Sequence, residues 1–167
     1  MSQGVLVVSG VRDDGFREIL ALEVADTESE ASYQEMFRSL KARGLRGIEL
    51  VVSDDHEGLK AAVERHFQGA SWQRCQLHYA RNLLGMVAAS RRKKLSEGLR
   101  GVFAAPSREV ALRLASELAE RWRQSYPKVA EHLEEHIEES LTCAWPSRRA
   151  TAGASAPPTV SNISTRR

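Results

Sequence analysis

Val51-Val52-Ser53-Asp54-Asp55-His56-Glu57-Gly58-Leu59-Lys60-Ala61-Ala62 carries two structural patterns end to end. Ile48 to Val52 is a short β-branched run that reads as a buried strand. Leu59, Ala62, Val63 and Phe67 then recur at the spacing of one helical face. The switch across Ser53-Asp54-Asp55-His56 is that of an α/β unit. It leaves a carboxylate, Asp54, at the carboxyl end of a strand, where open α/β sheets place ligands and reacting groups.

Upstream of this switch, Gly4 to Val11 is nearly all apolar, Arg12-Asp13-Asp14-Gly15 supplies a turn, and Phe16 to Val24 sets Leu20, Leu22 and Val24 on one alternating face. That predicts a β-hairpin. Thr27 followed by Glu30 has the form of a capping box, and Tyr33, Met36, Phe37 and Leu40 continue as a helical stripe that should stop at Gly44. Downstream, Trp72 to Cys75 reads as one more short strand, and Leu77, Ala80, Leu84 and Val87 again follow helical spacing. The order is ββαβαβα over residues 1–89.

From Ser90 the pattern is all helical, to residue 143. The basic cluster Arg91-Arg92-Lys93-Lys94 opens helix-forming sequence, Pro106-Ser107 breaks it, and two stripes follow. One is Ala111, Ala115, Leu118 and Trp122; the other is Val129, Leu133, Ile137 and Leu141. Residues 144–167 are rich in Ala, Ser, Thr, Pro and Arg without periodicity, which predicts a disordered tail. No internal repeat is visible.

A length of 167 residues with 42% hydrophobic content suits one domain with a real core. The charge is balanced, 24 basic against 22 acidic residues for a net +2, so any contact with nucleic acid must be local. Cys75 and Cys143 stand in unlike contexts, which argues against a disulfide framework and for a reducing cytoplasm. No apolar run is long enough to span a bilayer and no signal-like start is present, so the reading is soluble, cytoplasmic and without a membrane partner.

Asp54 has two readings from its position. Its carboxylate can hold Mg²⁺ or Mn²⁺, hard cations that want oxygen ligands, or Asp54 or Asp55 caps the helix that begins near His56, which position alone favours. Cys75-Gln76-Leu77-His78 sets a thiol and an imidazole three positions apart. A zinc site there needs about four ligands, and His56, His66, His132, His136 and Cys143 form no second obvious pair, so a buried structural Cys with a hydrogen-bonded His is favoured. A Cys-His nucleophilic pair is the third reading. Trp72, Gln73, Arg74, Arg81 and Asn82 can face phosphates, although Trp72 is more often a core residue beside a strand. Arg81 and Arg91, Arg92, Lys93 and Lys94 are the better candidates for neutralising a DNA backbone, against the plainer reading of the cluster as a solvated helix start. His132 and His136 lie one turn apart among glutamates, which favours a solvated face over a metal site.

Together, Val51 to Ala62, then Trp72-Gln73-Arg74-Cys75-Gln76-Leu77-His78, then Arg81-Asn82-Leu83-Leu84 closely resemble the Mutator family of bacterial insertion-sequence transposases. The hairpin and Arg38-Ser39-Leu40-Lys41-Ala42-Arg43-Gly44-Leu45 fit it too, so the resemblance runs from Gly4 to Leu141. It implies an RNase H-like domain in which two Asp and one Glu hold two divalent metals for DNA strand cleavage and joining. Asp54 matches the second Asp. His56, Cys75 and His78 match the family signature, and the helices after Ser90 match an insertion before the final Glu.

Three departures shape what is expected of this chain. The first Asp belongs on a strand before the hairpin, and Met1 stands just before that hairpin. The closing Glu belongs in a Thr-Thr-Asn-x-Leu-Glu-x-Leu-Asn run, and none follows Leu141. Asp55 stands where the family has a small residue. The expectation is a truncated, partial RNase H-like domain whose missing strand, between the hairpin and Ile48 to Val52, leaves backbone groups unpaired unless something fills the gap. Val160-Ser161-Asn162-Ile163-Ser164 can be encoded by codons that, in a shifted frame, give Leu-Glu-His-Leu, as an out-of-frame tail would. The expected partners are insertion-element DNA, and a second copy or an intact transposase. The expected function is a transposase fragment inactive alone. The alternatives are a non-catalytic module that modulates an intact transposase, and a small unrelated α/β binding protein.

Overall fold

The computed structural model describes residues 4–11, 15–25, 29–142 and 160–166. They belong to two compact units, Met1–Gln73 with Arg148–Arg167, and Arg74–Ser147. One core was expected from the length. Two form, because the helices of the second unit close an apolar cluster of their own.

The first unit opens with the hairpin β1 (Gly4–Val11) and β2 (Arg17–Ala25), antiparallel from Gly4↔Ala25 to Val11↔Arg17. The register shifts between Val8↔Ala21 and Ser9↔Ile19, so Leu20 is the extra residue of a bulge. It lies over Gly10, where an added Cβ would come 2.8 Å from Leu20 Cδ1. The bulge takes Leu20 off the alternating face expected for it. Leu22, Val24 and Ile19 are exposed, while Leu6 and Val8 of β1 are buried.

Helix α1 (Glu30–Ala42) buries Tyr33, Met36, Phe37 and Leu40, the stripe read from the sequence. Its capping box is Ser29 with Ser32, each side chain meeting the other's backbone N–H. The expected Thr27 lies outside the described residues. Strand β3 (Leu50–Ser53) and helix α2 (Glu57–His66) follow, with Leu59, Ala62 and Val63 buried. Strand β4 (Ser71–Arg74) ends the α/β run. The core gathers Leu6, Val8, Val51 and the inner faces of α1 and α2.

The second unit holds α3 (Gln76–Gly85), α4 (Ala89–Phe103), α5 (Arg108–Arg123), α6 (Pro127–His136) and a 3-10 turn, Ile137–Ser140. Ser107 caps α5 by accepting from the Val110 N–H at 3.2 Å, and Pro127 starts α6 where a helix tolerates it. Both later stripes are buried as expected. In α3 the inward face is Tyr79 and Leu83; the expected Leu77 is 66% exposed, because the helix is rotated toward its neighbours in this cluster.

Residues 160–166 correct the expectation of an unstructured tail. Val160–Arg166 is strand β5, and the sheet order is β2-β1-β5-β3-β4. β5 runs antiparallel to β1 and parallel to β3, in the position where an unfilled gap was expected. Strand pairing through the backbone requires no apolar periodicity, so composition gave no sign of it. The rest of the expected tail, 144–159 and residue 167, lies outside the described residues.

Candidate functional site

The end of β3 is built from below. Ser53 is fully buried, and its hydroxyl accepts from Trp72 Nε1 at 2.8 Å while donating to the Asp54 carbonyl at 2.8 Å. β4 therefore holds the turn that presents Asp54. His56 N–H donates to the same carbonyl at 3.2 Å, which tightens the turn before α2. Asp54 is half-buried; Asp55 is ion-paired with Lys60 at 2.5 Å. The Lys60 ammonium also sits 4.4 Å from the centre of the Trp72 ring. The N-cap of α2 falls on His56, one place beyond the Asp pair, and its side chain makes no capping bond.

His56 is fixed by other contacts. Its ring meets Tyr33 edge-on at 5.2 Å, and Gly58 lets α2 approach the start of α1, since a Cβ there would stand 2.9 Å from the Glu30 backbone nitrogen. Its Nδ1 is buried and has no hydrogen-bond partner among the described residues. Ser53, Gly58 and Lys60 were missed as site residues by sequence reasoning. All three stand in the run Val51 to Ala62 that carries the resemblance, but their roles depend on contacts with β4 and α1 that the sequence does not display.

In the helical unit Cys75 is the buried N-cap residue of α3, and His78 lies in its first turn, half-buried. His78 Nδ1 also lacks a hydrogen-bond partner among the described residues. Tyr79, beside them, is fully buried: its hydroxyl donates to the His132 carbonyl at 3.1 Å and its ring stacks on His132 at 5.3 Å. Burial pushes the Tyr79 hydroxyl well above its ordinary pKa, only partly opposed by Arg74. Arg74, 3% exposed, pairs with Glu139 at 3.3 Å and lies 5.2 Å from the Tyr79 ring centre. His132 is thus engaged in packing, with His136 4.8 Å away.

Arg91, Arg92, Lys93 and Lys94 are all exposed within the first two turns of α4, and Arg81 is exposed on α3. Arg91 and Lys94 line a cleft of about 520 Å³ with Arg121, Trp122 and Tyr126. No group of three or more His, Cys, Asp or Glu side chains able to hold a metal converges among the described residues. The donors among the described residues do not fit the two-metal centre that the resemblance implies, and Asp55, next to Asp54 in the sequence, is bound to Lys60.

The described residues form an α/β unit with a carboxylate turn at a strand end and a helical unit with an exposed basic run. The sequence as a whole assigns the family. It matches the model of "Transposase, Mutator family" over residues 1–152, and the chain belongs to that family. It is 40% identical over 139 residues to the transposase for insertion sequence element IS406 of Burkholderia multivorans, covering 83% of this chain and 36% of that protein. It is 38% identical over 142 residues to the ISRM5 transposase of Rhizobium meliloti, covering 85% and 36%. With the IS256 transposase in transposon Tn4001 of Staphylococcus aureus it shares 39% over 103 residues, covering 62% and 26%. The chain spans about a third of the length of the first two of these relatives.

Proposed function

We propose that this chain is a portion of an insertion-sequence transposase and that it contributes one metal-ligating carboxylate, Asp54, and DNA-backbone contacts from Arg81 and Arg91 to Lys94. The observation that carries this reading is the Trp72–Ser53–Asp54 hydrogen-bonded chain, which fixes the acidic turn at the end of β3. The RNase H-like character of the first unit is supported by strand direction, with β1 antiparallel to both neighbours and β5 parallel to β3. The parental reaction is metal-dependent DNA strand cleavage and transfer, with Mg²⁺ or Mn²⁺ as cofactor. One carboxylate of a set that acts as a unit does not sustain it, so this chain alone is inactive. His56 acts as a support of the acidic turn rather than as a reacting group, its ring packed edge-on against Tyr33.

No helix among the described residues is long and apolar enough to cross a membrane. A cytoplasmic location is part of the proposal and rests on cysteine usage. The test is to incubate the chain with supercoiled plasmid carrying insertion-element ends and Mn²⁺. The expected outcome is DNA retention without nicking. Nicking that is abolished by Asp54→Asn would overturn the inactive reading and make the chain an enzyme.

A second reading is a non-catalytic module that pairs with an intact transposase and modulates it. The exposed apolar residues Phe16, Ile19, Leu22 and Val24 on β2 and just before it favour this reading. Co-purification with a tagged full-length relative, lost on Leu22→Lys with Val24→Lys, is its expected signature.

A further inference from the structure

At the end of β3 opposite the acidic turn, the first unit gathers cations from three separate segments. A cleft of about 520 Å³ is lined there by Lys41 from the last turn of α1, Arg46 and Ile48 from the loop that leads into β3, and Arg65 and His66 from the last turn of α2. Lys41, Arg46 and Arg65 are exposed, and no Asp or Glu lines the cleft. Arg38, Arg74, Arg108 and Arg123 each hold a glutamate, whereas none of the three cleft cations pairs with a carboxylate among the described residues.

Basic residues commonly close helices, because the last carbonyls carry about half a negative charge per helix. Lys41 does this: its ammonium donates to the His66 carbonyl at 3.0 Å. Two helix ends amount to roughly one unit of charge, and three cations exceed that. Arg46 belongs to neither helix. The surplus is felt at His66, whose pKa is held below its ordinary value by burial and then by Lys41, Arg38 and Arg65. A positive field with no carboxylate in it is relieved by an anion.

We propose that the cleft between the ends of α1 and α2 is a further contact for the DNA backbone, in which Arg46 and Arg65 bind phosphate oxygens and Lys41 adds a point charge. The inference rests on the reading of the chain as a DNA-binding part of a transposase. The form of the site suits a backbone better than an enclosed small ligand. Its cations are exposed, guanidinium groups match phosphate oxygens two at a time, and the half-buried Leu45 and Ile48 offer apolar surface to a sugar. Ile48 and Asp54 are six positions apart, at most about 20 Å of extended chain, which is the length of about six base steps. One short duplex is therefore long enough to reach both ends of β3.

The test is anisotropy of the full chain on a fluorescein-labelled duplex of about 20 base pairs, between about 50 and 200 mM salt. Arg46→Ala with Arg65→Ala is compared with Arg108→Ala with Arg123→Ala, and each pair takes the chain from net +2 to net 0. The cleft pair should weaken binding roughly tenfold or more at low salt and make the slope of log affinity against log salt shallower by about 0.9 for each phosphate released. The glutamate-bound pair should change neither. Failure of the unaltered chain to bind sinks the DNA reading of the whole chain; binding that the two pairs alter equally, or not at all, sinks the cleft alone. His66 gives a local check that needs no variant to fold. Added duplex should raise its NMR titration midpoint, because a phosphate beside Lys41 and Arg65 offsets charges that lower it. A midpoint that inorganic phosphate raises and duplex does not makes this a site for small anions and overturns the proposal, as does a midpoint that neither moves.

Discussion

Ser53 has no exposure, and both hydrogen-bonding roles of its hydroxyl are used, accepting from Trp72 and donating to the Asp54 carbonyl. A buried hydroxyl that loses its donor costs roughly 1–2 kcal/mol. Trp72→Phe keeps an aromatic ring under Lys60 and removes only the indole N–H, so the urea midpoint should fall by that amount with an unchanged slope. An unmoved midpoint would show that the turn before α2 holds Asp54 without help from β4. His66 offers a second residue-scale test. Burial lowers its pKa below 6.5, and Lys41, Arg38 and Arg65 lower it further. The folded state therefore takes up its proton later than the unfolded chain does as pH falls. Above pH 6.5 both states are neutral and there is no penalty; below it the unfolded state binds more protons and stability declines until the folded imidazole titrates too. Unfolding free energy measured from pH 7.5 down to pH 5.5 should fall, and His66→Gln should flatten part of that slope.

At the scale of elements, α1 and α2 approach closely because Gly58 has no side chain. A Cβ there would lie 2.9 Å from the Glu30 nitrogen and 3.2 Å from its Cα, both backbone atoms that move only if the start of α1 moves. Gly58→Ala should therefore cost about 1–3 kcal/mol as overpacking. Gly101 in α4 has nothing within 4 Å of the same added atom, so Gly101→Ala should stabilise by about 0.5–1 kcal/mol through helix propensity. Chemical denaturation of the two variants gives opposite signs if the packing is as described. The helices are also what the sequence displayed most clearly. Tyr33, Met36, Phe37 and Leu40, or Ala111, Ala115, Leu118 and Trp122, repeat over several turns, and such a repeat survives small errors in where a helix begins. The bulge at Leu20 and the rotation of α3 were hidden, since each moves a face by one or two positions and is decided by a neighbour. β5 was hidden more deeply. Its place in the sheet comes from backbone pairing with β1 and β3, which no property of Val160 to Arg166 announces.

Over the whole molecule the charge is nearly balanced, and that decides what kind of DNA contact is available. A chain of net +2 generates little long-range attraction, so affinity must come from cations that are local and not already paired. Arg123 does not qualify: it is held by Glu120 at 2.9 Å and by Glu134, and Arg108 is held by Glu138. The exposed run Arg91 to Lys94 offers four cations in succession at the start of α4, two of them bordering the cleft with Trp122 and Tyr126. The acidic turn was legible from sequence for the same reason as this run, because both are contiguous; the strut beneath the turn was not, because Trp72 and Ser53 meet only through the sheet. Replacing all four cations with Ala takes the chain from net +2 to net −2. If they neutralise phosphates, the slope of log affinity against log salt for duplex DNA should become shallower by about 0.9 for each phosphate left without its cation. Arg123→Ala removes one charge as well, yet should leave the slope unchanged, since its guanidinium is already neutralised by two glutamates. Anisotropy titrations between about 50 and 200 mM salt separate the cases. A slope that drops for the cluster and not for Arg123 places the DNA backbone on α4, while equal small decreases would mean that DNA responds only to net charge.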